Sequence, residues 1–255
     1  MRGKYFETDP WQLNCPNGTL NLQTLEFDQT KANTFKTEAE YNPAVKCPVW
    51  EKTVRRLLPD METREYFRRA AGYSLTGDIS EGCFFIAYGT GSTGKTTVLQ
   101  TIMNLLGNYG NIAGYGELLK TKSAVLAEFS QCRFITAVPD REKIIFSEEF
   151  IATVTGGGKL EGRFKYQDRF IFRPQMKIWF EANVMPQAAD YSKALWRRAK
   201  TIPFTETIPD KRADPKLIEK LKGEYSGILN WLIEGCNKWR ETGLDCPVKL
   251  RGSGF

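Results

Sequence analysis

No part of this chain constrains its fold more than Gly89-Thr90-Gly91-Ser92-Thr93-Gly94-Lys95-Thr96-Thr97. It satisfies the pattern G-x-x-x-x-G-K-[ST], follows the apolar run Cys83-Phe84-Phe85-Ile86-Ala87-Tyr88 and precedes a helical run over 95–106. A buried strand that breaks at glycine and re-enters as a helix can fold its N–H groups around phosphate oxygens, with the positive end of the helix dipole behind them. On this reading residues Gly89 through Thr97 cradle a nucleotide, Lys95 reaches the β- and γ-phosphates and the Thr96 hydroxyl holds Mg²⁺. The competing reading is a glycine-rich turn without a ligand. A guanine-reading Asn-Lys-x-Asp is missing, because Asn237-Lys238-Trp239-Arg240 lacks the aspartate, so the expected nucleotide is ATP.

The surrounding pattern predicts an α/β fold in three zones: an N-terminal hairpin and helical region over 1–80, a P-loop NTPase core over 81–206 and a C-terminal helical segment over 207–255. Two short alternating runs, Trp11-Gln12-Leu13-Asn14-Cys15 and Thr19-Leu20-Asn21-Leu22, flank an expected Asn17-Gly18 turn. Apolar positions at helical spacing between 50 and 76 predict two helices, with Asp60 as the cap between them and Gly72 near an end. Arg133–Val138, Lys177–Ala182 and Thr201–Phe204 are further strands, and 145–155 is a helix. After Asp214-Pro215, positions 221, 225, 228, 229, 232, 236 and 239 trace one apolar helical face. A sheet flanked by helices is the expected core.

Composition narrows the chemistry. Among 255 residues there is no histidine, so Ser-His-Asp and Cys-His units and His-ligated zinc are excluded. The six cysteines include no C-x-x-C pair and read as thiols of a reducing cytoplasm. No apolar stretch is long enough to span a bilayer, so no membrane partner is expected. The whole net charge of +6 is found between Lys159 and Lys200, where ten basic residues face four acidic ones. Such a local excess attracts a polyanion, although a solvated basic face has the same composition.

Several shorter features occur in a telling order: the Asn17-Gly18-Thr19-Leu20 hairpin, Gly72-Tyr73-Ser74-Leu75-Thr76-Gly77, Thr155-Gly156-Gly157, Phe172-x-Pro174, Ala182-Asn183-x-x-Pro186, Trp196-Arg197-Arg198 to Phe204, and Gly227-Ile228-Leu229-Asn230-Trp231. Over most of its length the chain resembles the superfamily 3 helicases, AAA+-like P-loop ATPases, and among them the poxvirus-type primase-helicases of phages and plasmids. The resemblance implies that Asn183 senses the γ-phosphate or attacking water, and that Arg198 is a finger delivered into a neighbouring subunit. Asn183 could instead cap a strand end; Arg197 is the rival of Arg198, and a surface ion pair is the plainer role for either. Two departures stand out. Pro139 occupies the place where the family usually has the acid of its second strand, leaving Asp140, followed by Glu142, as the candidate metal-linked acid. Ala152 and Gly158 stand where relatives tend to have lysine and aspartate, which implies slow or differently organised hydrolysis.

Between these strands, Lys159-Leu160-Glu161-Gly162-Arg163-Phe164-Lys165-Tyr166-Gln167-Asp168-Arg169 alternates basic and aromatic residues around a Gln167-Asp168 turn. In superfamily 3 relatives a hairpin here grips single-stranded nucleic acid, which makes Lys159, Arg163, Lys165, Tyr166 and Arg169 candidate contacts. The alternative packs the aromatics against the core. The resulting expectation is an ATP- and Mg²⁺-dependent DNA helicase or translocase for phage, plasmid or mobile-element replication. It would work in the cytoplasm of a bacterium or infected host as a hexameric ring on single-stranded DNA, with 3′ to 5′ polarity by resemblance. A primase or winged-helix region in a longer parent chain is a further expectation. The alternatives are a nucleotide-dependent replication initiator with little unwinding and, more remotely, a small-molecule kinase.

Overall fold

The computed structural model describes residues 5–6, 9–31, 34–120, 122–140, 146–186, 191–209, 211 and 214–250. The chain opens with β1 (Tyr5–Phe6), β2 (Gln12–Cys15), β3 (Gly18–Asn21) and β4 (Phe27–Asp28), followed by α1 (Pro48–Leu57) and α2 (Met61–Tyr73). The expected hairpin forms one residue earlier than expected. Cys15 pairs with Gly18, so the two turn residues are Pro16 and Asn17. Gly18 belongs to the ladder because a Cβ there would lie 2.6 Å from the Asp28 carbonyl of β4. The Asn17 side chain is used elsewhere, exchanging two 2.9 Å hydrogen bonds with the backbone of Tyr41. At the start of α2 the Asp60 carboxylate accepts the Thr63 N–H at 2.8 Å, the expected cap.

The core then runs β5 (Phe84–Tyr88), α3 (Lys95–Leu105), β6 (Gly110–Gly114), α4 (Tyr115–Lys120), α5 (Ser123–Phe129), β7 (Phe134–Val138), α6 (Glu148–Thr155), β8 (Leu160–Gly162), β9 (Phe170–Phe172), β10 (Lys177–Ala182), α7 (Lys193–Arg198) and β11 (Ala199–Pro203). Five of these strands form one parallel sheet in the order β11-β5-β10-β7-β6. Strand β6 was not expected from the sequence. Its bracketing glycines read as turn signals, yet a Cβ at Gly110 would lie 3.0 Å from the Met103 carbonyl carbon, so glycine here lets α3 approach the sheet.

Alternation along the strands sends side chains to two cores. Phe85, Ala87, Phe134, Trp179 and Ile202 join the cluster that contains the N-terminal hairpin, α1, α2 and α3. Phe84, Ile86, Ile135, Ala137, Ile178 and Phe180 face the opposite side with α4 to α7. Trp179 is stacked between Phe85 and Phe134, with centroids at 4.3 and 5.4 Å.

Two buried cations sit where β7 and β10 begin. Arg133 donates to the carbonyls of Leu75, Asp9 and Gln12 at 2.8, 3.1 and 2.7 Å. Lys177 donates to the carbonyls of Thr76, Asp78 and Gln175. Backbone carbonyls accept from Lys177 Nζ and from both Nη atoms of Arg133, so the two cations tie the segment after α2 to the sheet, while Arg133 Nε is buried without a hydrogen-bond partner among the described residues. Burial, with the charge of Arg133 beside it, pulls the Lys177 amine down to about 7.

The C-terminal zone departs from a single helix. It contains α8 (Leu217–Lys222) and α9 (Tyr225–Thr242), separated at Gly223 and Glu224. The Glu224 carboxylate turns back to accept the Val49 and Trp50 N–H groups at 3.0 and 2.9 Å, satisfying orphan donors at the start of α1. No helix among the described residues is long and apolar enough to cross a membrane.

Candidate functional site

The glycine-rich segment leaves the sheet at the C-terminal end of β5, the usual ligand edge of an open parallel sheet. Gly89 is held between neighbours, its N–H donating to the Ala182 carbonyl at 3.0 Å while Phe204 N–H donates to the Tyr88 carbonyl at 2.7 Å. The loop turns at Ser92 and Gly94, both left-handed with φ of 60° and 74°. A Cβ at Gly94 would press 2.7 Å from Leu57 of α1. Gly91 has open space around it.

Lys95 is buried, and its ammonium folds back onto its own loop. It donates to the Gly89 and Thr90 carbonyls at 2.5 and 2.9 Å, to Thr93 Oγ1 at 3.1 Å and to Asn183 Oδ1 at 3.5 Å. Burial lowers its pKa, and the Glu181 carboxylate opposes that shift. Lys95 and Asn183 therefore meet across the sheet edge. Thr97 stands one residue further into α3 and lines the cavity described below.

The Thr96 hydroxyl donates to Glu181 Oε2 at 2.6 Å. Glu181 was not singled out from the sequence, where it is a lone acid inside Lys177-Ile178-Trp179-Phe180-Glu181-Ala182. That oddity was the available signal, because a charge in a strand buried along its whole length is costly unless it is used. Burial raises the Glu181 pKa, against the hydrogen bond from Thr96 and the charge of Lys95. Tyr115 closes the same corner, its hydroxyl donating to the Glu181 carbonyl.

Asp140, the acid expected to act with Thr96, is placed differently. It is exposed just beyond β7, one strand further from β5 than Glu181, and its Oδ2 accepts the Gly116 N–H at 2.9 Å. Glu142 lies outside the described residues. Ala152 is exposed on α6, and Gly158 follows that helix. Among the described residues no group of three or more Cys, Asp or Glu side chains is arranged to hold a metal. A hydroxyl and one carboxylate nonetheless suit Mg²⁺, which keeps several waters and takes further oxygens from phosphate.

A cavity of about 730 Å³ opens beside the loop, lined by Leu57, Ser92, Gly94, Thr97, Ile208 and Leu217 among others. Ile208 N–H donates to the Ser92 carbonyl at 2.8 Å, pinning the cavity wall to the loop.

Arg198, the expected finger, ends α7. Its Nη1 donates to Thr155 Oγ1 at 3.1 Å and to the Gly82 carbonyl at 3.4 Å. Arg197 is exposed, and among the described residues no hydrogen bond or ion pair engages it.

The basic-aromatic segment forms a hairpin, with β8 antiparallel to β9 and residues 163–169 at its exposed tip. Its aromatics are placed differently. Phe164 stacks on buried Phe170 at 5.6 Å, whereas Tyr166 is 89% exposed with the Lys165 ammonium 4.9 Å over its ring. Arg163 Nε donates to the Gln167 carbonyl at 3.2 Å and shapes the tip. Arg169 pairs with Glu161 at 3.2 Å, and Lys159 is exposed at the base.

Comparison with known proteins adds independent findings. A family described as "D5 N terminal like" matches residues 2–59, and a "Family of unknown function (DUF5906)" matches 87–198. A protein of Acanthamoeba polyphaga mimivirus named "Putative helicase L207/L206" is 27% identical over 269 aligned positions, covering 95% of this chain and 27% of that protein. Among solved structures, the NrS-1 C-terminal region superposes with a TM-score of 0.62 at 10% identity, over 92% of this chain and 56% of that one. A second structure of that region gives 0.60 at 10% identity, over 95% and 60%. The structural likeness concerns the fold, and the chain spans about a quarter of its curated relative and little more than half of the structural ones. The similarities are thus to a D5-type N-terminal region and to a protein named a putative helicase, and the solved structures add the fold alone.

Proposed function

We propose that this chain is the ATP-hydrolysing core of a replication helicase or translocase that acts on single-stranded DNA. The observation that carries the reading is the convergence of Lys95, Thr96 and Asn183 at the C-terminal edge of β5 and β10. The Lys95 ammonium is already drawn to three oxygens of its own loop, so a triphosphate, offering charged acceptors, would take it over. The loop N–H groups and the start of α3 would hold the β- and γ-phosphate oxygens. The adjoining cavity, walled by Leu57, Ile208 and Leu217, gives the base an apolar seat. Asn183 orients the γ-phosphate or the attacking water, and Mg²⁺ supplies charge neutralisation when bound with the nucleotide.

β9 of the hairpin runs into the start of β10 over the link 173–176, and β10 ends next to Asn183, so β10 is the covalent connection between the γ-phosphate end of the sheet and Lys165 and Tyr166. Assembly as a hexameric ring would give each site a cation from the next subunit, with Arg197 and Arg198 as the available pair. A reading as a nucleotide-dependent replication initiator draws on Pro139 and on the engagement of Asp140 with Gly116.

Steady-state ATP hydrolysis with and without single-stranded DNA, together with solution mass, tests the proposal. Stimulation by DNA in an oligomer supports the motor; DNA binding gated by ATP without turnover supports the initiator; indifference to ATP removes both.

A further inference from the structure

We propose that Glu181, rather than Asp140, is the carboxylate that shares the nucleotide's Mg²⁺ with Thr96; this rests on the nucleotide-binding reading above. Sheet order supplies the first argument. β10 is hydrogen-bonded directly to β5, with Glu181 level with Ala87, two residues before Gly89, whereas β7 and Asp140 lie one strand further out. Strand alternation puts Glu181 on the face of Trp179, beneath α3, whose second residue is Thr96.

Hydrogen bonding supplies the second. Glu181 is 5% exposed; its Oε2 accepts from Thr96 Oγ1 at 2.6 Å, and its Oε1 is buried without a hydrogen-bond partner among the described residues. A carboxylate oxygen can accept two hydrogen bonds, and one buried with none costs free energy that nothing else in this strand recovers. A hard divalent cation between the Thr96 hydroxyl and this carboxylate would satisfy it. Asp140 has the opposite character: exposed, and with Oδ2 engaged by the Gly116 N–H. The acid missing at Pro139 is thus supplied from the neighbouring strand, closer to the P-loop than the expected position.

The test compares the full chain with its Glu181→Gln and Asp140→Asn variants. Binding of the non-hydrolysable imido analogue of ATP is measured by calorimetry in EDTA and in Mg²⁺, and analogue-dependent Mn²⁺ uptake by electron paramagnetic resonance. Glu181→Gln is expected to bind the analogue like the unaltered chain in EDTA and to lose about ten-fold or more of the metal-dependent tightening and of Mn²⁺ affinity. Asp140→Asn should keep both. Should Glu181→Gln fail to fold, Glu181→Asp, which retains the charge on a shorter arm, is expected to show the same loss. Retention of metal-dependent binding by the Glu181 variants, or its loss in Asp140→Asn, overturns the assignment while leaving nucleotide binding intact. An unaltered chain that ignores the analogue in both conditions overturns the nucleotide reading and this inference with it.

Discussion

Gly72 of α2 and Gly235 of α9 face each other where the two helices cross. A Cβ on Gly72 would lie 2.7 Å from the Leu232 carbonyl, besides clashing with the backbone of Gly235 and Cys236; one on Gly235 would lie 3.0 Å from the Arg68 carbonyl carbon. Backbone cannot yield as a flexible side chain does. Gly72→Ala is therefore expected to destabilise the fold by roughly 3 kcal/mol, the upper end for overpacked sites, read by denaturant unfolding. Gly91→Ala, with nothing among the described residues within 4 Å of the added methyl, should stay within about 0.5 kcal/mol of the parent. Equal stability of the two variants would refute close crossing as the reason for Gly72.

Lys177 gives a pH dependence with a definite sign. Burial pulls its amine from 10.5 down to about 7 in the fold, while in the unfolded chain it holds its proton until about 10.4. Between those values the unfolded state binds more protons, so this group's contribution to stability rises with pH and is lost as pH falls through 7. Above about pH 8.5 unfolded cysteines begin to ionise, and the buried thiols, such as Cys83 and Cys132 held up at about 12, act in the opposite direction. The clean window is thus about pH 7 to 8.5. There the parent should gain stability relative to Lys177→Met, by up to roughly 2 kcal/mol. Parallel unfolding curves across that window would show that Lys177 keeps its proton.

The sheet was legible where an apolar run stood alone, as at 84–88 and 177–182, and the glycine-rich turn between β5 and α3 because every fixed position of its pattern is local. What escaped depends on distant partners. Glu181 reads as a strand residue until Thr96, 85 positions earlier, is placed beside it. Gly72 carries the same letter as a helix-ending glycine, and only α9 shows it to be a crossing point. The Asn-Gly turn slipped by one residue because β4 and Tyr41, neither of them in the hairpin motif, decide which glycine must pair and which asparagine must clamp.

Arg197 and Arg198 are adjacent in sequence and differ in engagement. Arg198 bonds Thr155 and Gly82 within its own chain, so Arg198→Ala should cost about 1–2 kcal/mol of stability. Arg197 is free of such bonds among the described residues. If it reaches a neighbour's γ-phosphate, Arg197→Ala should fold like the parent, bind ATP and lose turnover roughly 1,000-fold. Mixing Arg197→Ala with Lys95→Ala chains should recover part of that activity, because mixed interfaces pair an intact loop with an intact arginine. No recovery on mixing, or full turnover by Arg197→Ala, would eliminate this trans role.

At the hairpin tip, Lys165 and Tyr166 offer a phosphate contact and a stacking face, while Phe164 is committed to Phe170. Tyr166→Ala should weaken single-stranded DNA binding by about 1–3 kcal/mol, the usual worth of one stacked base. Lys165→Ala should weaken it too, and should also flatten the dependence of log affinity on log salt by about 0.7. Arg163→Ala is expected to act mainly through tip geometry, because its Nε is occupied by the Gln167 carbonyl. Fluorescence anisotropy of a labelled oligonucleotide over a salt series separates these effects. A Lys165→Ala variant with unchanged affinity and slope would place the DNA elsewhere on the molecule, and Phe164→Ala, expected to loosen the hairpin instead, provides the structural control.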